Sequence, residues 1–227
     1  MALTASERFS RQLPLPGVGE EGQRRLAEAR LLIVGAGGLG SALIPALAAA
    51  GVGCLRIVDF DAVSLSNLNR QILYRPSDIG RPKAEAAAEW VRAFYPECSV
   101  EACPEPLEKK HLIGMDLAID ATDNYAARLL LDTLTEAAGI PMVHAAVEGL
   151  RGEVATFRPG GVRYRCLFGA PEDDDAKPAV LGAAVAVVGA LEATEVIKQL
   201  LALTGNLTGR LLTVDLSAYA FQTFDLE

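Results

Sequence analysis

The sequence predicts an α/β fold: a Rossmann-like mixed sheet, parallel in its N-terminal part and antiparallel in its C-terminal strands, with helices on both faces. Three observations carry this. Apolar strand-like runs alternate with glycine turns and helical stretches as far as about residue 147, the rhythm of parallel strands joined by crossovers. The first unit is an apolar strand, a glycine-rich loop and a helix. After Gly152 the rhythm changes to strand-like segments with short connections, which suit antiparallel additions to the sheet.

Taken in order, Leu31 to Val34 is a continuous apolar run of the kind buried on both faces of a parallel sheet. Gly35-Ala36-Gly37-Gly38-Leu39-Gly40 follows, then a helix to about Ala50 that Pro45 is placed to kink. Leu55 to Phe60 reads as the second strand, and Arg81 to Tyr95 as an Ala-rich helix with Pro82 in its first turn. Cys98 to Ala102 and Leu117 to Asp120 are the next strands. Asn124 to Ala138 is a helix that Gly139 can end before a strand at Pro141 to Val147. Glu153 to Arg158, Arg210 to Leu216 and Ala220 to Asp225 complete the strands, with a buried helix from about Ala179 to Leu203 between them. The loop Gly169 to Pro178, carrying Glu172-Asp173-Asp174-Asp175, is the candidate mobile segment. We expect one domain over 1–227: a helical arm (1–29), a nucleotide-binding part (30–150) and a C-terminal sheet extension (151–227).

Composition narrows the function classes. With 227 residues, 51% hydrophobic and 22% charged, the chain can bury a large core without staples. A formal charge of −8 argues against nucleic acid as the main partner, because phosphate tracking needs a basic face. The four cysteines, Cys54, Cys98, Cys103 and Cys166, show no C-x-x-C spacing, and the N-terminus lacks the pattern of a secretion signal. The longest apolar run, Ala179 to Leu191, is too short to cross a bilayer. A cytoplasmic protein without a membrane partner is expected.

The glycine segment fits G-x-G-x-x-G, in which Gly35, Gly37 and Gly40 permit a tight turn and close backbone approach to phosphate at a helix N-terminus. Asp59, about 20 residues on, is placed to accept from ribose hydroxyls. A nucleotide site follows, but a nicotinamide enzyme begins the same way. The polar loop from Asp59 through Asp61, Ser66, Asn67 and Asn69 to Arg70, and the cations of Arg81-Pro82-Lys83, distinguish the two. Cations at a helix start oppose its dipole, so they favour a bound polyphosphate over a structural role. Asp123 and Asn124 follow an apolar strand at the sheet edge where open α/β folds bind ligands. Asp123 can hold magnesium, and either residue can cap the following helix; the spacing does not choose. His111 and His144 are isolated in the sequence and read as structural or exposed.

These residues resemble the MoeB/ThiF/HesA family of sulfur-carrier adenylyltransferases, relatives of the enzymes that activate ubiquitin-like proteins. The likeness runs from Arg8-Phe9-Ser10-Arg11-Gln12 through the glycine loop, Ala50-Gly51-Val52-Gly53 and Val58-Asp59-Phe60-Asp61. It continues in Ser66-Asn67-Leu68-Asn69-Arg70-Gln71, Gly80-Arg81-Pro82-Lys83, Asp120-Ala121-Thr122-Asp123-Asn124 and Tyr164-Arg165-Cys166-Leu167-Phe168. The resemblance implies ATP and Mg2+ as cofactors. It also implies that Gly38 lies on the phosphates, Asp59 on the ribose, Asn67, Arg70 and Lys83 around the phosphates, and Asp123 on the metal. It implies a homodimer in which Arg11 reaches the neighbouring site, and a substrate that is a small ubiquitin-like carrier ending in Gly-Gly, bound by the C-terminal part. The family's paired C-x-x-C motifs are missing: Arg163 replaces the first cysteine, Cys166 stands alone, and no zinc site is expected. The relay cysteine and a rhodanese domain are absent too, so a separate sulfur donor is implied. The competing readings are an NAD-dependent oxidoreductase, a relative acting on a peptide or a tRNA base, and a non-catalytic scaffold.

Overall fold

The computed structural model describes residues 5–169 and 179–226. The acidic loop singled out above therefore lies, from 170 to 178, outside the described residues. The elements are α1 (Ala5–Arg8), α2 (Gly19–Glu28), β1 (Arg30–Val34), α3 (Gly38–Ala50), β2 (Cys54–Val58), α4 (Lys83–Phe94), β3 (Ser99–Cys103), β4 (Leu117–Asp120) and α5 (Tyr125–Ala138). Then come β5 (Met142–Glu148), β6 (Arg151–Phe157), α6 (Tyr164–Phe168), α7 (Gly182–Leu201), β7 (Arg210–Asp215) and β8 (Ala220–Asp225).

All eight strands join one sheet in the order β3-β2-β1-β4-β5-β6-β7-β8. The first five run parallel and the last three antiparallel, as the change of rhythm after Gly152 implied. Alternation along each strand feeds two cores. Leu31, Ile33, Leu55, Ile57, Leu117 and Ile119 pack on one face with residues of α3, α4 and α7. Leu32, Val34, Val58, Ala118, Met142 and Phe157 pack on the other with Leu131 of α5 and Tyr164 of α6. Burying a side chain of this kind stabilises by about 1.5–3 kcal/mol, so the two layers anchor the sheet ends that carry the site.

Boundaries moved where local chemistry competes. The second strand stops at Val58 because Asp59 turns its carboxylate back onto backbone amides, two residues before the expected end at Phe60. Pro82 precedes α4 as its N-cap residue, so the first helical residue is Lys83. α3 runs through Pro45 to Gly51, which caps it in the left-handed region, and Gly139 ends α5 at φ 71° as anticipated. β3 and β8 are the two edges of the sheet, and on β8 Phe221 and Phe224 are exposed.

Candidate active site

The chain leaves β1 toward β2 and β3, then returns to β4 on the other side of β1. Crevices form outside the carboxyl ends of strands at such a switch point. Here a cavity of about 340 Å³ opens over the ends of β1, β2 and β4. Gly35, Gly37, Gly38, Asp59, Asp61, Arg70, Lys83, Asp123 and Asn124 all line it.

Gly35 turns the chain at φ +98°, and a Cβ there would sit 2.5 Å from the Ala121 carbonyl oxygen. The ends of β1 and β4 can approach this closely only at glycine. Gly38 is constrained by packing as well as by the cavity it lines: a Cβ would meet the Val185 side chain of α7 at 2.6 Å. Gly37, the residue before α3, supplies no side-chain cap. The first amides of α3 are thus available to an anion, and the helix dipole favours one.

Asp59 organises the loop around it. Its Oδ2 accepts from the Ala36 amide at 2.7 Å and its Oδ1 from the Asp61 amide at 2.8 Å. Burial pushes the Asp59 carboxyl up from its ordinary value, against the nearby Lys83 ammonium and the two amides. Lys83 is buried, and its Nζ donates to Asp61 Oδ2 at 2.8 Å. The Tyr74 hydroxyl donates to the Ala36 carbonyl at 2.6 Å, tying the glycine loop to the segment that carries Arg70.

Gly40, Ser66, Asn67 and Asn69 do not line the cavity. Gly40 lies inside α3, where a Cβ would meet the Gly35 carbonyl oxygen at 2.6 Å. Asn67 accepts from the Ser64 amide at 3.0 Å, capping a short 3-10 turn, while the Ser66 and Ser64 hydroxyls pair at 3.0 Å. Arg70 donates back to the Ser66 carbonyl at 3.0 Å and to Asn69 Oδ1 at 3.3 Å, so these residues build the loop that presents Arg70. Arg11 is exposed on the turn after α1 and does not line the cavity of its own chain.

The open choice at Asp123 and Asn124 resolves in space. Asn124 Oδ1 accepts from the Ala127 amide at 2.8 Å and caps α5. Asp123 is exposed at the cavity wall, its carboxylate spared from capping. A carboxylate free of capping on the same cavity as an uncapped helix start suits Mg2+, which keeps most of its water and takes one or two protein oxygens.

Residues given no role in the sequence reading complete the cavity. Gln71 is buried against it, with an Oε1 that has no partner, and its one signal in the sequence was adjacency to Arg70. Glu105, Pro106 and Leu107, after β3, and Arg128, on α5, also face it and carry no recognisable spacing. His144 is not isolated in space. It is fully buried, its Nδ1 is 2.7 Å from Asp120 Oδ2, and its Nε2 is 3.4 Å from Glu153 Oε1. Burial works against its charge, but the bonds to the two carboxylates prevail and raise its pKa above the ordinary value. Burial likewise opposes ionisation of Asp120, and the His144 bond and charge still hold it below the usual carboxylate range. His111 is buried too, its Nε2 2.9 Å from Glu105 Oε1.

Arg163 is buried and bonded to α5. Its Nε donates to Asp132 Oδ1 at 2.8 Å, and its second guanidinium arm reaches the Asp132 carbonyl and Thr135 Oγ1. Arg165 Nε donates to the other oxygen of Asp132 at 2.7 Å. All four cysteines are free, Cys166 exposed, and burial raises the Cys98 thiol to about 11.

Comparison with known proteins follows the same lines. The ThiF family profile matches residues 9–227. The SAMP-activating enzyme E1 of Haloferax volcanii is 43% identical over 97% of this chain and 85% of its own length. The sulfur carrier protein adenylyltransferase of Thermus thermophilus is 40% identical over 95% of this chain and 85% of its own. Among solved structures, E. coli MccB superposes with a TM-score of 0.84 at 21% identity, covering 100% of this chain and 71% of that one. PaaA gives 0.81 at 23% identity, covering 100% and 85%. At that identity the two structures speak for the fold alone. The relatives named as adenylyltransferases overturn the oxidoreductase reading that the glycine loop and Asp59 had left open. This chain belongs to the ThiF family, and it is a nucleotidyltransferase of the adenylyltransferase kind.

Proposed function

We propose that the chain uses ATP to adenylate the C-terminal glycine carboxylate of a small ubiquitin-like sulfur carrier protein ending in Gly-Gly, with release of pyrophosphate. The observation that carries this reading is the gathering of an uncapped helix start, Arg70, Lys83 and a free Asp123 carboxylate on one cavity. A carrier carboxylate oxygen attacks the α-phosphorus, the bond from that phosphorus to the bridging oxygen breaks, and pyrophosphate leaves with the electron pair. The nucleophile is already an anion, so no base is required, and catalysis rests on positioning and charge. The amides at the start of α3 bind phosphate oxygens, and Arg70 and Lys83 offset the charge gathering on the leaving group. Mg2+ held by Asp123 would neutralise further phosphate charge. Asp59 holds the ribose while its amide bonds keep the glycine loop in shape.

The rest of the reading extends beyond one chain. Arg11 faces outward and serves the neighbouring site of a homodimer, and the sulfur donor is a separate protein. The carrier docks on the C-terminal part, where Tyr219, Phe221 and Phe224 are exposed around β8. Among the described residues, no helix is long and apolar enough to cross a membrane.

The test is pyrophosphate exchange into ATP with magnesium and Gly-Gly carriers from the same organism. Exchange should depend on the carrier, and Arg70→Ala, Lys83→Ala and Asp123→Ala should each lower it at least about 100-fold with far-UV circular dichroism unchanged. Exchange with no carrier from that organism, or undiminished exchange in Arg70→Ala, refutes the assignment.

A further inference from the structure

Thr122, the residue before Asp123, is held at every polar group. Its amide and hydroxyl both donate to Asp120 Oδ1, at 3.2 and 2.7 Å, and its carbonyl accepts from an Arg128 guanidinium nitrogen at 3.1 Å. Asp120 is completely buried, and its second oxygen is taken by His144 Nδ1 at 2.7 Å. The sheet explains the pairing: Asp120 and His144 are register partners on the parallel strands β4 and β5, so both side chains rise from the same face. His144 is in turn packed by Tyr164 and Phe168 of α6, with ring centroids 4.9 and 6.0 Å away, which leaves the imidazole no room to swing from the carboxylate.

We propose that His144, acting through Asp120 and Thr122, is a positioning residue that aims the Asp123 carboxylate into the cavity. Fixing one oxygen of Asp120 sets the plane of the carboxylate, and that plane determines whether the other oxygen can receive both Thr122 donors. Without His144, Asp120 turns toward the Arg128 Nε, now 3.9 Å away, and the grip on Thr122 loosens. Asp123 lines the cavity, whereas His144 and Asp120 do not. The inference rests on the proposed role of Asp123 as the magnesium ligand.

The test is calorimetric titration of the intact protein with a non-hydrolysable ATP analogue, in magnesium and in chelator, which reads the affinity gained from the metal without any turnover. Asp123→Ala should abolish that gain. His144→Leu should reduce it at least fivefold while the metal-free Kd stays within twofold of the parent. His144→Asn, whose amide nitrogen can replace Nδ1 as donor, should restore it. Thr122→Val, which removes one of the two bonds to Asp120 Oδ1 and leaves His144 in place, should reduce it in the same direction and serves if His144→Leu does not fold. An undiminished gain in Asp123→Ala would overturn both the metal assignment and this inference. A loss in Asp123→Ala, with the parent's gain kept in His144→Leu or Thr122→Val, would overturn the positioning role alone. So would equal weakening of metal-free and metal-bound binding.

Discussion

Glu192, on α7, is fully buried, and neither of its oxygens has a hydrogen-bond partner. Burial, reinforced by the negative charge of Asp120, pushes its carboxyl well above the ordinary 4.5. The native state therefore keeps a proton that the unfolded chain releases once pH passes 4.5. Stability must fall with rising pH across that window, by about 1.4 kcal/mol per unit. The fall continues up to the raised pKa of the folded state, so between pH 5 and pH 7 the loss is at most about 3 kcal/mol. Glutamine has nearly the same shape and cannot ionise, so Glu192→Gln removes the pH-dependent penalty while leaving the packing alone. Near pH 4.5 the variant should match the parent within about 1 kcal/mol. At pH 7 it should be the more stable of the two, by at most about 3 kcal/mol, which for a chain of this length bounds the rise in Tm at roughly 10 °C. Urea unfolding followed by circular dichroism at several pH values measures the gap. Parallel stability profiles for parent and variant would refute the reasoning, because they would mean that Glu192 is ionised or hydrated in the folded protein.

Two further outcomes follow from the packing. Gly35→Ala forces a side chain onto φ +98° and into the Ala121 carbonyl, so it should cost about 2–3 kcal/mol and abolish binding of a fluorescent ATP analogue. Gly37→Ala, whose Cβ meets nothing nearer than Gln71 Nε2 at 3.5 Å, should unfold within about 1 kcal/mol of the parent; equal damage from both would contradict the strand-end account. Asp132→Asn leaves Arg163 buried beside a neutral partner and should cost about 3 kcal/mol, with faster amide exchange through Tyr164 to Phe168. A change below about 0.5 kcal/mol would show that α6 is held by its aromatic packing and not by the arginine clamp.

Much of the site was legible where a residue's role is local. The apolar run before Gly35, the helix after it and an acidic residue ending the next strand are consequences of the backbone within a few residues of each other, and all three formed. Lys83 was legible because a charge opposed to a helix dipole needs another reason to be there, and Arg70 because it ends a polar loop. The loop from Ser64 to Asn69 was not. Ser66, Asn67 and Asn69 were candidate ligands on paper, yet Asn67 Oδ1 and the Ser66 hydroxyl bond within the loop, and only the fold shows which polar atoms are engaged that way. The same accounting separated Asn124, the cap, from Asp123, the free carboxylate.

By itself, then, the sequence determined the kinds of elements, the change from parallel to antiparallel strands and the glycine turn after β1, because periodicity and glycine geometry act over short spans. Tertiary structure alone decided that β4 returns beside β1, which creates the crevice, and that Asp120 faces His144 across 24 residues of chain. Strand order and register depend on which apolar faces bury best together, and that choice is made by the whole sheet, leaving no mark at either residue.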